Sequence, residues 1–428
     1  IFCYDLLLKK QTHEPLGSSD IIMRRVLHLF VLTATGIHGL QPVNLYPSCR
    51  NGQRHVLFSA VEDKPLDLVP AFDAYATLPT FKKGFKPPSK AQWLQSNGVG
   101  SVDPFDLVAV ELTPFSDSIK ELVENQHPVL SKASKHFFEK AHGKRFRPTI
   151  VMLMAKAISG TMDNQHTPEY LKQAKLGQIT EMIHTASLIH DDVLDEADTR
   201  RGGQAVHKMY NNKVAVLVGD YLLARASVLL AKLENVRVVQ VMASALDSLV
   251  QGEIMQIKST PEETLQMNYY LRKSYYKTAS LICDSCKSCA LLGGHALDSD
   301  IGIAAEKFGY HLGLTYQIID DILDFTVSSE DLGKPAMADV SLGLATAPVL
   351  YAAEECRDLR PLIKRRFKEE GDCEQALHLV HSTNGLERAE QLALFHAQSA
   401  VDALNSLPQS EATAALLRLT QLVVTRKS

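Results

Sequence analysis

EMIHTASLIHDDVLDEADTRRGG, residues 181–203, runs through an apolar helical stretch into Asp191, Asp192 and Asp195, with Arg200 and Arg201 behind them. A helix advances about 100° per residue, so Asp191 and Asp195 are neighbours on one face and Asp192 lies within reach of Asp195. Three like charges at this spacing repel one another. The arrangement is stable when a cation sits between them. Carboxylate oxygens are ligands for a hard divalent ion, and Mg²⁺ characteristically combines one or two carboxylates with phosphate oxygens of a substrate.

The pattern recurs. Residues 313–326 read GLTYQIIDDILDFT, with Asp320, Asp321 and Asp324 at the same internal spacing. One such cluster reads equally well as a solvated acidic face or a cap. Two, each closing an apolar helix, point to acids that face each other across a cavity, because buried acids without partners are costly. A polyanion bridged by metal ions is what they would hold.

Working outward, the helical period extends over most of the chain. It starts at DPFDLVAVEL (103–112) and covers 118–140, 148–160, 169–190, 213–232, 236–257, 264–292, 301–325, 343–355, 373–381, 385–405 and 410–425. There is no sustained strand alternation. The pattern predicts one large all-α domain of about ten helices over 102–428. The chain has 428 residues, 45% apolar and 22% charged, with net charge −4. That balance excludes a polybasic nucleic-acid binder. No apolar run approaches the roughly 20 residues of a membrane span. The seven cysteines show no paired framework, which points to a reducing compartment.

Residues 1–101 read as a targeting and linker region with little regular structure. No Asp or Glu falls between Asp20 and Glu62, while Arg24, Arg25, Arg50 and Arg54 do, as in an organellar transit peptide. Met23 is the first methionine, so residues 1–22 are expected to come from upstream reading; the alternative is a genuine extension. A secretory signal is a further reading of the apolar run from Val26 to Ala34, which the cysteine usage disfavours. Six prolines between Pro65 and Pro104 exclude long helices there. The basic stretch FKKGFKPPSK (81–90) reads as a solvated linker, or as a point of peripheral membrane or partner contact.

Smaller motifs accompany the acids. GKRFRP (143–148) packs Lys144, Arg145 and Arg147 into a cationic cluster, a surface turn if taken alone. Arg grips phosphate with two parallel hydrogen bonds and Lys acts as a point charge. His184 lies two turns before Asp191 on the same face, placed to donate to a diphosphate, whereas His190 reads as structural. Cys283, Cys286 and Cys289 have a spacing seen in iron–sulfur ligation but lack a fourth cysteine, and read as small packers. Lys277 and Thr278 stand in KTAS, Gln317 precedes the second acid cluster, and Lys334 follows it.

Taken in order, GKRFRP, HxxxxxxDDxxD with RRG, KT, QxxDDxxD and GK resemble the trans-isoprenyl diphosphate synthases. The likeness is greatest to the long-chain branch, the solanesyl and decaprenyl diphosphate synthases that make quinone side chains. It covers about 102–428. It implies an isoprenoid synthase fold, an all-α bundle around a central cavity, and a homodimer or heteromer. It implies Mg²⁺ on Asp191, Asp192 and Asp195 and on Asp320, Asp321 and Asp324. Arg200, Lys277, Thr278, Gln317 and Lys334 would hold an allylic prenyl diphosphate. Lys144, Arg147, His184 and Arg201 would hold isopentenyl diphosphate. Lys277, Thr278, Gln317 and Arg200 are the expected catalytic set. Ala186 and Ser187, five and four residues before Asp191, stand where short-chain members carry aromatics. With Ile183 and Ile179 deeper, the tail is expected to grow well past the geranylgeranyl length. The quinone role implies a mitochondrial address, or a plastid one. A terpene cyclase would lack the second acid cluster and GKRFRP. A subunit of a hetero-oligomeric synthase, or of a larger organellar assembly, is the alternative from a different class.

Overall fold

Two 27-residue helices carry the acid clusters at their C-terminal ends. The structure, a computed structural model, describes residues 71–75, 88–98, 102–113, 115–124, 128–140, 145–161, 166–200, 203–326 and 337–426. The chain divides into two units, Ile1–Asp67 and Leu68–Ser428. The first lies outside the described residues, as do the expectations placed on it and the FKKGFK part of the basic stretch.

The second unit is helical. In chain order its helices are α1 Ala71–Tyr75, α2 Lys90–Ser96, α3 Ala109–Leu112, α4 Phe115–Leu122, α5 Pro128–Lys140, α6 Phe146–Ser159 and α7 Pro168–Leu194. A two-residue hairpin follows, β1 Thr199–Arg200 with β2 Gly203–Gln204. Then come α8 Val206–Met209, α9 Asn212–Ala231, α10 Val236–Lys258, α11 Met267–Ser274, a π-helical turn Tyr275–Ala279 and α12 Ser280–Leu292. The remainder is α13 Asp300–Thr326, α14 Ala338–Ser341, α15 Ala347–Glu355, α16 Leu359–Lys364, α17 Asp372–His381, α18 Gly385–Leu404 and α19 Glu411–Thr425.

The long helices are those the periodicity marks, with local corrections. The span expected at 118–140 breaks into α4 and α5, because Pro128 cannot sit inside a helix and instead opens the second. The span expected at 343–355 begins at Ala347, after Gly343 turns at φ +81°. The span expected at 264–292 is interrupted by the π turn. The stretch read as a linker carries α1 and α2. Trp93 of α2 is 2% exposed, and its Nε1 donates to Gln398 of α18 at 2.8 Å. Ser89 caps α2 in a reciprocal box with Gln92. α2 therefore packs onto the same unit as the helices that follow residue 102.

α12 is central. It packs against α7, α13, α10 and α6, and is buried along almost its whole length. Cys283, Cys286 and Cys289 are fully buried in that packing. Close approach is allowed by glycines: a Cβ on Gly252 of α10 would lie 2.7 Å from the Lys277 nitrogen, and one on Gly313 of α13 would lie 2.6 Å from Ala279 Cα. These two glycines clamp the π turn from opposite sides. One described helix, α9, is long and apolar enough to cross a membrane by length and composition, against the expectation that no run is. Half of its apolar window is buried in this unit, where it packs on α7.

Candidate active site

Both acid clusters sit where the helix dipole is negative, so α7 and α13 supply no intrinsic stabilisation to the carboxylates at their ends. Burial adds to that cost. Asp191 is pushed up to about 8 by burial and then by Glu253 and Asp195, with Lys277 and Arg200 pulling the other way. Asp192 is also raised, by burial, against the Arg200 guanidinium. Arg200 Nε donates to Asp192 Oδ1 at 2.7 Å, while the buried Oδ2 has no hydrogen-bond partner among the described residues. The hairpin β1–β2 brings Arg200 back onto α7.

The second cluster is built differently. Asp321 is 1% exposed; it accepts from Gln317 Nε2 at 2.8 Å and from Tyr270 OH at 2.5 Å. Burial, then the Asp339 charge, push it up to about 8. Asp320 is paired with Arg426 at 3.3 Å. Asp324 is engaged by backbone amides. Its Oδ1 accepts from Ala338 N at 3.2 Å and its Oδ2 from Asp339 N at 3.1 Å. Both amides belong to the first turn of α14.

Between the clusters lies a cleft of about 130 Å³. Asp195 of the first cluster and Asp321 of the second line it, together with Lys277, Thr278 and Gln317. The π turn presents Lys277 and Thr278 side by side, as such turns do at functional sites. Lys277 Nζ lies 2.6 Å from Glu253 Oε1. Burial disfavours its charge, but Asp191, Glu253 and Asp195 hold its pKa above the usual value. Thr278 Oγ1 donates to Gln317 Oε1 at 2.6 Å. With its proton committed, Thr278 turns lone pairs to the cleft.

Arg147 Nη1 donates to His184 Nε2 at 2.9 Å, joining α6 to α7. Lys144, Arg201 and Lys334 lie outside the described residues. His190 is structural: its ring contacts Val216 O at 3.2 Å, and only a glycine at 219 leaves it room. Ala186, Ile183 and Ile179 are fully buried, and Ser187 Oγ folds back to His184 O at 2.9 Å.

The cleft also contains residues the motifs did not mark. Lys273 and Asp339 line it, and Glu253 anchors Lys277. Lys273 stands one turn before Lys277, a spacing visible in the sequence; Asp339 and Glu253 carry no local signal.

The donor set fits divalent cations. The carboxylates are oxygen ligands, one buried oxygen of Asp192 is unsatisfied, and Asp191 is destabilised as an anion without one. Among the described residues, no three acidic, histidine or cysteine side chains form a ready-made metal cage. Substrate oxygens would complete the coordination.

The polyprenyl synthetase family model matches residues 127–380. The chain is 44% identical over 340 residues to the mitochondrial solanesyl-diphosphate synthase 1 of rice, covering 76% of this chain and 79% of that one. It is 42% identical over 346 residues to the chloroplastic/mitochondrial solanesyl diphosphate synthase 3 of Arabidopsis thaliana, covering 76% and 80%. A crystal structure of polyprenyl synthase from Caulobacter crescentus, complexed with calcium and isoprenyl diphosphate, superimposes with a TM-score of 0.69 at 30% identity, covering 77% and 99%. The two acid clusters flanking Lys277, Thr278 and Gln317 thus belong to a prenyltransferase, and the chain is a member of the polyprenyl synthetase family.

Proposed function

We propose that this cleft condenses isopentenyl diphosphate with an allylic prenyl diphosphate, repeatedly, to give a long-chain prenyl diphosphate for quinone side chains. The placing of Asp195 and Asp321 on opposite walls, with Lys277, Thr278 and Gln317 between them, carries the reading. The divalent ion would be Mg²⁺, held by Asp191 and Asp195, with Asp192 beside them, and by Asp320 and Asp321. When bound it neutralises the diphosphate leaving group.

The chain's own residues do the rest. Lys277 and Arg200 hold the allylic diphosphate and stabilise the negative charge that grows as its C–O bond breaks. Asp192 keeps Arg200 in place through the 2.7 Å contact. The lone pairs of Thr278 face the allylic cation, and Gln317, oriented by Asp321, fixes the hydroxyl. Arg147, steadied by His184, holds isopentenyl diphosphate, with Lys144 and Arg201 in the same role. The isopentenyl double bond supplies the electron pair of the new C–C bond, and a proton leaves to the departing pyrophosphate. Small Ala186 and Ser187 leave the tail unblocked, with the buried Ile183 and Ile179 further down. Incorporation of labelled isopentenyl diphosphate by the wild type and by Asp191→Asn and Asp321→Asn tests the assignment. The variants are expected to lose about 10²–10³-fold in turnover; turnover within twofold of wild type would refute it.

The assembly proposed is a homodimer through α9 and α10. Leu217 and Val228 form an exposed stripe on α9, and Val236 stands exposed at the start of α10. Native mass spectrometry should give twice the chain mass; a monomer would refute this, and co-purification with a second chain would give a heteromer. The address proposed is mitochondrial, supported by the acid-poor, Arg-bearing residues 21–61 and by the mitochondrial name of the rice relative. Import into isolated mitochondria rather than plastids tests it.

A further inference from the structure

We infer that Arg426 is an internal counter-ion for the second acid cluster, occupying the cation position at Asp320 until the divalent ion takes it. The inference rests on reading Asp320 as a cation ligand. Three features of the structure lead to it.

The three acids of the cluster differ in how firmly they are engaged. Asp321 is fixed by Gln317 and Tyr270, and Asp324 by the Ala338 and Asp339 amides, both almost fully buried. Asp320 is the accessible one, its side chain 39% exposed. A cation arriving from solvent meets Asp320 first, and finds Arg426 Nη2 there at 3.3 Å.

Arg426 is seated rather than loose. Its side chain is only 15% exposed, and its guanidinium stacks on the Tyr316 ring at 3.9 Å from the ring centre. The same Nη2 donates to the Tyr316 carbonyl at 2.8 Å. Tyr316 packs on Phe146 at 5.0 Å between ring centres, and Phe146 is adjacent to Arg147. The guanidinium therefore rests on an aromatic shelf that connects the second acid cluster to the GKRFRP motif. Arg favours such stacking because its planar cation is weakly hydrated.

Arg426 is also incompletely satisfied. Its buried Nε has no hydrogen-bond partner among the described residues. An arginine whose purpose was structural would be expected to use that donor. The stacking can survive loss of the Asp320 contact, so the cation can be exchanged without unseating the side chain. In the exchanged state the guanidinium stays on Tyr316, released from Asp320.

The test is Mn²⁺ binding to the substrate-free full chain, read from the electron paramagnetic resonance signal of the free ion. Removing a tethered competitor should tighten binding: Arg426→Gln is expected to bind Mn²⁺ about threefold to fivefold more tightly than wild type. Arg426→Lys keeps the charge and should stay near wild type. In an Asp320→Asn background, Arg426→Gln should change nothing further. Should Arg426→Gln lose its fold, Arg426→Met, which keeps an apolar stem on Tyr316, carries the same comparison. Unchanged Mn²⁺ binding in Arg426→Gln, with or without a raised KM for isopentenyl diphosphate, overturns the inference. So does a change shared equally by the Gln and Lys variants. If Asp320→Asn alone leaves Mn²⁺ binding intact, it is the reading of Asp320 as a ligand that fails.

Discussion

The Thr278 hydroxyl donates to the Gln317 side-chain carbonyl at 2.6 Å, across the gap between the π turn and α13. Gln317 passes the alignment on to Asp321 at 2.8 Å. One relay thus ties a hydroxyl lining the cleft to the second acid cluster. Thr278→Val keeps the shape and removes the oxygen. It is expected to lower kcat about 10²-fold with a much smaller change in KM. Steady-state kinetics checks this; an unchanged kcat would remove Thr278 from the chemistry.

Gly252 lets α10 lie against the backbone that carries Lys277. A methyl there would sit 2.7 Å from the Lys277 nitrogen, closer than any unstrained contact, and the atom it meets is backbone. Gly252→Ala should therefore cost about 1–3 kcal/mol of stability. It should also lower turnover by displacing Lys277 and Thr278. Denaturant melts and kinetics on the same preparation check both; loss of neither would mean that the π turn tolerates movement.

Asp284 on α12 is pushed up to about 8 by burial, with Lys287 opposing and Glu306 adding. A carboxyl whose folded pKa is raised favours the folded state at low pH. Between about pH 4 and pH 8 the unfolded chain loses that proton and the folded one keeps it, so stability falls as pH rises through this window. Asp284→Asn should flatten that slope and raise the melting temperature at pH 8 relative to wild type. Thermal melts at pH 5 and pH 8 check it; an unchanged slope would mean that Lys287 keeps Asp284 ionised.

Ala186 is fully buried five residues before Asp191. A helix rises about 1.5 Å per residue, so this position lies roughly 7.5 Å along the axis from Asp191. Ala186→Phe should shorten the products, read as prenyl alcohols resolved by length. An unchanged distribution would place the tail elsewhere.

The sequence displayed whatever depends on local spacing. Asp191 and Asp195 are one turn apart, and burial and the neighbouring acids perturb Asp191 as the repulsion between them implies. Lys277, Thr278 and Gln317 share the cleft. Tertiary choices were hidden. An isolated helix puts Asp324 one turn after Asp320, but the chain returning at Ala338 claims its carboxylate. Asp339 reaches the cleft only because of that return. The β1–β2 hairpin is too short for any alternation to show. The proline-rich stretch hid α2, whose anchor is the chain's single tryptophan meeting α18 some 300 residues later.

The most direct measurement is product length. The full chain would be supplied with Mg²⁺, labelled isopentenyl diphosphate and farnesyl or geranylgeranyl diphosphate. A dominant product well beyond the geranylgeranyl length, abolished by Asp191→Ala, is the result predicted. A folded protein that incorporates no label, or that stops at the geranylgeranyl length, would contradict the account.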